Sequence, residues 1–126
     1  LRAALEIACV HPVDVIVGDA CDQLGPAVAT LGSGDHPLVI TSWVLNYLAA
    51  DQRETFVREL DRTGAERDLS WIALESPGLC HGVPYPAEVA DSFLTHLLVV
   101  RWRSGVRTAE HLAECHPHGY WMHAPR

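Results

Sequence analysis

Two kinds of apolar pattern alternate along this chain. Short runs that are apolar at successive positions occur at 14–17 (DVIV), 38–41 and 69–74. Such runs read as strands buried on both faces. Each ends in turn residues: Gly18-Asp19-Ala20, Ser42-Trp43, and Glu75-Ser76-Pro77-Gly78. Between them, apolar residues recur at helical spacing. Leu5, Ala8 and Cys9 predict a helix over 1–10, stopped by His11-Pro12. Leu24, Val28 and Leu31 predict a second, with Pro26 expected in its first turn and Gly32-Ser33-Gly34-Asp35 ending it. Phe56, Val57 and Leu60 predict a third, with Asp51 and Glu54 at capping-box spacing and Gly64 as its stop.

After a loop rich in Pro and Gly, with a short helix beyond Pro86, 95–102 is the longest strand candidate. Ser104-Gly105 is a hairpin signal that folds the next segment back upon it. Strands apolar on both faces and alternating with helices predict an α/β fold. The expected form is Rossmann-like: a mainly parallel sheet, helices on both faces, and a C-terminal antiparallel β-hairpin. Ligands in such sheets bind beyond the carboxyl ends of the strands. Those ends carry Asp19, Ser42, Trp43, Asn46 and Glu75, the physical candidates for a small-molecule site. The bland alternative is that they are turn and cap residues.

Composition narrows the picture. The 126 residues suggest one domain, and 48% apolar with 20% charged residues fits a globular protein. A net charge of -7 argues against a nucleic-acid partner, which needs clustered Lys and Arg. No apolar run has the length of a membrane span, so no membrane partner is expected. Cys9, Cys21, Cys80 and Cys115 lack zinc-framework spacing and are expected as reduced thiols in a cytoplasmic protein. The chain opens without Met, as if in mid-helix, so a longer domain is expected of which this is the later part.

Several motifs fail on inspection. Gly32-Ser33-Gly34 precedes a strand, and Pro37 stands where a third glycine belongs, so it is no phosphate loop. Ser42 has no flanking glycine and cannot form a nucleophile elbow. Cys80-His81 are chain neighbours and read as loop packing. The densest chemistry is CHPHGYWMH, residues 115–123. His111, Cys115, His116 and His118 could grip zinc if 108–115 were a helix. The hairpin signal favours a strand. His111 and Cys115 then stand about 13 Å apart, and no metal is expected.

The order Gly18-Asp19-Ala20, then 42–48 (SWVLNYL), then 74–78 (LESPG), then His116-Pro117-His118-Gly119-Tyr120-Trp121 resembles a bacterial family, domain of unknown function 2332. The family's usual Trp-Pro-Gly-Gly turn is here Trp102-Arg103-Ser104-Gly105. That family is similar to class I methyltransferases, which use S-adenosylmethionine. The resemblance implies that this chain is the later half of such a domain, with a glycine-containing loop upstream. It implies Asp19, Ala20, Ser42, Trp43 and Asn46 as cofactor contacts, and Glu75, His116, His118 and Trp121 as lining a substrate cleft. No residue stands out as a general base. Two rival readings stay open: a metal-dependent hydrolase built on the histidines, and a non-catalytic interaction domain. On the leading reading, the chain alone binds the cofactor poorly and exposes a sheet edge prone to self-association.

Overall fold

Five strands form one mixed sheet in the order β1-β2-β3-β4-β5. The computed structural model describes residues 2–83 and 94–124. Along the chain run α1 (Arg2–Val10), α2 (Ala20–Ala29), β1 (Leu38–Ser42), a short 3-10 helix (Leu45–Tyr47) and α3 (Ala50–Glu66). Then follow β2 (Leu69–Glu75), β3 (Thr95–Arg103), β4 (Val106–Cys115) and β5 (Met122–His123). The protein is α/β, but the expectation of a mainly parallel sheet is corrected. Only β1 and β2 run parallel among the described strands; β2–β3, β3–β4 and β4–β5 are antiparallel. The physical reason is connectivity. The helical crossover through α3 makes the parallel pair, and the tight Ser104-Gly105 turn forces β4 back along β3. Both turn residues have positive φ, 49° and 75°, which matches the right-handed twist of a two-residue hairpin.

The strand expected at 14–17 does not form; these residues are irregular and unpaired. Val15 and Val17 are 84% and 93% exposed. A strand needs a partner for its backbone, and β1 is the edge on that side of the described sheet. The short helix expected after Pro86 lies outside the described residues.

The core sits between α3 and one sheet face. Burial along β2 alternates strictly: Leu69, Trp71, Ala73 and Glu75 are buried, and the residues between them are half-buried. Phe56 meets Trp71 edge-on with ring centroids 5.9 Å apart. α2 packs mainly on α3, through Cys21, Leu24 and Val28, and α1 buries none of its residues.

Three local expectations change. Gly64 does not end α3, which continues to Glu66. An ideal Cβ at Gly64 would lie 2.2 Å from Trp102 Cγ, so glycine is there to let helix and sheet approach. Pro26 lies inside α2, beyond its first turn. α3 starts one residue before Asp51, and Gln52 Oε1 accepts from the Ala49 amide at 2.9 Å. The Asp51–Glu54 capping box is therefore not used. Arg67, just past α3, ties the two helices together. Its guanidinium donates to the carbonyls of Val28, Leu31, Gly32 and Asp35 at 2.6 to 3.3 Å. Val28 belongs to the last turn of α2, and Leu31, Gly32 and Asp35 to the loop that follows it.

Candidate functional site

The carboxyl ends of β1 and β2 lie side by side because the two strands are parallel and in register, Ser42 against Leu74. Trp43 follows at φ 59°, a left-handed conformation that costs a bulky residue roughly 1–2 kcal/mol. Its surroundings hold it there. The Trp43 amide donates to Leu74 O at 3.0 Å, and its indole Nε1 donates to Thr95 Oγ1 at 3.1 Å. The next two amides point at Glu75. Val44 N donates to Oε1 at 3.1 Å, and Leu45 N to Oε2 at 3.2 Å. Asn46 Nδ2 adds a 3.4 Å bond to Oε2, and Ser76 Oγ donates to Asn46 Oδ1 at 3.2 Å.

Glu75 is fully buried. Burial pushes its carboxyl above the ordinary range, and bonds from Thr41, Val44 and Leu45 pull back in part. Its oxygens serve the turn over 43–46. Of the residues assigned from the sequence, Trp43, Asn46 and Glu75 thus form one network. Thr95, which the sequence did not suggest, completes it.

A second group gathers where α2 meets β1. Asp19 is the N-cap of α2, its Oδ1 accepting from the Cys21 amide at 2.8 Å. Ala20 lines a cleft of about 330 Å3 with Ile16, Gln23, Val39, Thr41 and Val44. Leu24, Ala27, Ile40 and Phe56 complete its walls, which are mostly apolar. The segments around Asp19 and Ser42 therefore come together at one cleft. Ser42 itself is exposed at the end of β1.

The histidines lie elsewhere. The 116–121 segment is a compact turn between β4 and β5. His116 N donates to Trp121 O at 3.0 Å, and Gly119 N to His116 O at 2.8 Å. His118 N donates to His116 Nδ1 at 3.0 Å, which leaves the neutral ring's hydrogen on Nε2. The rings of His116 and His118 are 5.7 Å apart, and that of Tyr120 is 4.7 Å from His116. Among the described residues, no group of three His, Cys, Asp or Glu side chains is placed to hold a metal ion. Trp121 lines a cleft of about 320 Å3 with Leu74, Leu97, Cys115, Gly119 and Met122.

Sequence reasoning also missed an imidazole pair, one ring buried and one half-buried. His96 Nδ1 and His111 Nε2 are 2.9 Å apart across the β3–β4 hairpin, and His96 is fully buried. Burial lowers the pKa of His96, as does the nearby His111. The hairpin signal could have found it. A two-residue turn at 104–105 sets Leu98 opposite His111, and His96 is Leu98's next neighbour on the same face.

Fold and site together define an α/β protein with a mixed sheet and two apolar clefts near the strand ends of its parallel pair. A family described as "Uncharacterized protein conserved in bacteria (DUF2332)" matches residues 1–123, and the chain belongs to that family. No curated protein and no solved structure matches it. No helix among the described residues is long and apolar enough to cross a membrane.

Proposed function

We propose that this chain is the later part of a methyltransferase-like domain, and that the cleft between α2 and β1 takes the nucleoside end of S-adenosylmethionine. The observation that carries the reading is the meeting of two distant segments. Ala20, next to the α2 cap, and Thr41 and Val44, at the end of β1, line one mainly apolar cleft of about 330 Å3. That volume is in the range of small-ligand sites, roughly 300–1,000 Å3. A flat, uncharged base suits its walls of Ile16, Leu24, Val39 and Phe56. Gln23 supplies an amide inside it, and Asp19 stands next to Ala20 at its lip. The turn over 43–46 forms the cleft's far side, and the buried Glu75 carboxylate fixes that turn.

When bound, S-adenosylmethionine supplies a methyl group carried on a sulfonium. The role of this chain is to bind and orient, since proximity supplies much of such a transfer. On this reading the residues before Leu1 contribute the glycine loop and further strands beside β1. The exposed residues over 13–17 would then find their neighbours there.

The test is calorimetric titration of the full natural chain with S-adenosylmethionine. Saturable binding is expected. Ala20→Trp, which fills the cleft, should weaken it at least tenfold. Asp19→Ser keeps a good N-cap but removes the charge, so it should weaken binding with little change in unfolding midpoint. No saturable heat, or binding indifferent to both changes, would overturn the reading.

A further inference from the structure

The second cleft has a distinct chemistry. Its lining is Leu74, Leu97, Cys115, Gly119, Trp121 and Met122, and none of these carries a charge at neutral pH. Burial raises the pKa of the Cys115 thiol, which keeps it protonated. The nearest carboxylates on the flanking strands are turned away. Glu75 and Glu114 both register with His96, and side chains alternate along a strand. Leu74 and Leu97, one position on, therefore face the opposite side of the sheet.

The far wall is built in advance. The bonds from His116 N to Trp121 O and from Gly119 N to His116 O close the turn at 3.0 and 2.8 Å. Gly119 has φ +73°, so a side chain there would strain the turn. This scaffold presents the Trp121 ring, 44% exposed, over the aliphatic floor. The His116 ring stands 6.2 Å from Trp121, with its Nε2 hydrogen free of the turn's own bond to Nδ1.

We propose that this cleft binds a small, uncharged, mainly apolar molecule. An anionic ligand would find no cation in the lining. A strongly polar one would lose its water with nothing to replace it. This cleft and the first open on opposite faces of the sheet: Leu74 pairs with Ser42, whereas Thr41, one position before, pairs with Ala73 and faces the core. The binding proposed here is therefore independent of the methyltransferase reading.

The chain contains one methionine, Met122, so selective methyl labelling of Met yields a single resonance from inside the cleft. The probe is p-cresol, titrated without cofactor, with p-hydroxybenzoate as its charged counterpart. A saturable shift of the Met122 methyl is expected with p-cresol, at least tenfold weaker with p-hydroxybenzoate. Trp121→Ala should weaken p-cresol binding at least tenfold, while Trp121→Phe retains it. Absence of a shift, equal response to the two probes, or indifference to Trp121→Ala would overturn the proposal. Binding of p-cresol in a protein that ignores S-adenosylmethionine would remove the cofactor reading and leave this site standing.

Discussion

Gly64→Ala is a one-carbon change whose cost can be worked from the helix–sheet contact. In an exposed helix the substitution would help, by about 1 kcal/mol. Here the added Cβ would sit 2.2 Å from Trp102 Cγ and 2.3 Å from its Cδ1. The ring has little freedom to retreat. Trp102 is buried, its Nε1 donates to Asp61 Oδ1 at 3.0 Å, and the Arg107 guanidinium lies 5.6 Å over its ring. Arg107 is itself tied to Asp61 at 3.5 Å and to His81 O at 2.9 Å. Overpacking of this kind costs up to about 3 kcal/mol. Subtracting the helical gain leaves a net loss of about 2 kcal/mol, or roughly 8 °C in Tm for a domain of this size. Urea unfolding followed by circular dichroism would read it. A Trp102→Ala background removes the two nearest atoms and leaves only the Trp102 Cβ position at 2.7 Å, so Gly64→Ala should cost less there than in the natural background. A higher urea midpoint for Gly64→Ala in the natural background would refute the reasoning.

Glu75 should tilt stability with pH. Its folded pKa lies above the ordinary 4.5, so the folded state holds the proton longer than the unfolded one. Its contribution is whole below that value and is lost as pH rises through the folded pKa. As pH rises above the ordinary 4.5, stability of the natural protein should fall relative to Glu75→Gln, which cannot titrate; parallel profiles would contradict this. Cys9 is exposed, whereas Cys21, Cys80 and Cys115 are buried. The Cys21 thiol is also pushed up to about 11, by burial first and then by Asp19. One thiol per chain should react quickly with Ellman's reagent in native buffer and four after denaturation; two or more fast native thiols would contradict the packing.

What the sequence made legible was local. The runs at 38–41, 69–74 and 95–102 became β1, β2 and β3, and Ser104-Gly105 made the predicted hairpin. That settled 108–115 as strand, which spaces His111 and Cys115 along its length, and the register shift at Leu97/Leu98 turns them to opposite faces, which no sequence pattern announced. Apolar runs do not encode strand direction, and there the expectation of a mainly parallel sheet went astray. Residues 14–17 show the same limit: their pattern is that of a buried strand, but a strand exists only beside a partner. Gly64 misled because a close-contact glycine and a helix-ending glycine look alike in one dimension. Glu75 was legible as a strand-end residue. Its role as acceptor for the Val44 and Leu45 amides depends on the parallel register, which only the fold supplies.

The most direct test of the functional account is a heteronuclear NMR titration of the full natural chain with S-adenosylhomocysteine. The account predicts saturable shifts centred on the amides of Ala20, Gln23, Thr41 and Val44, the residues that bring α2 and β1 to one cleft. Saturable shifts centred elsewhere, or none at millimolar ligand, would contradict it.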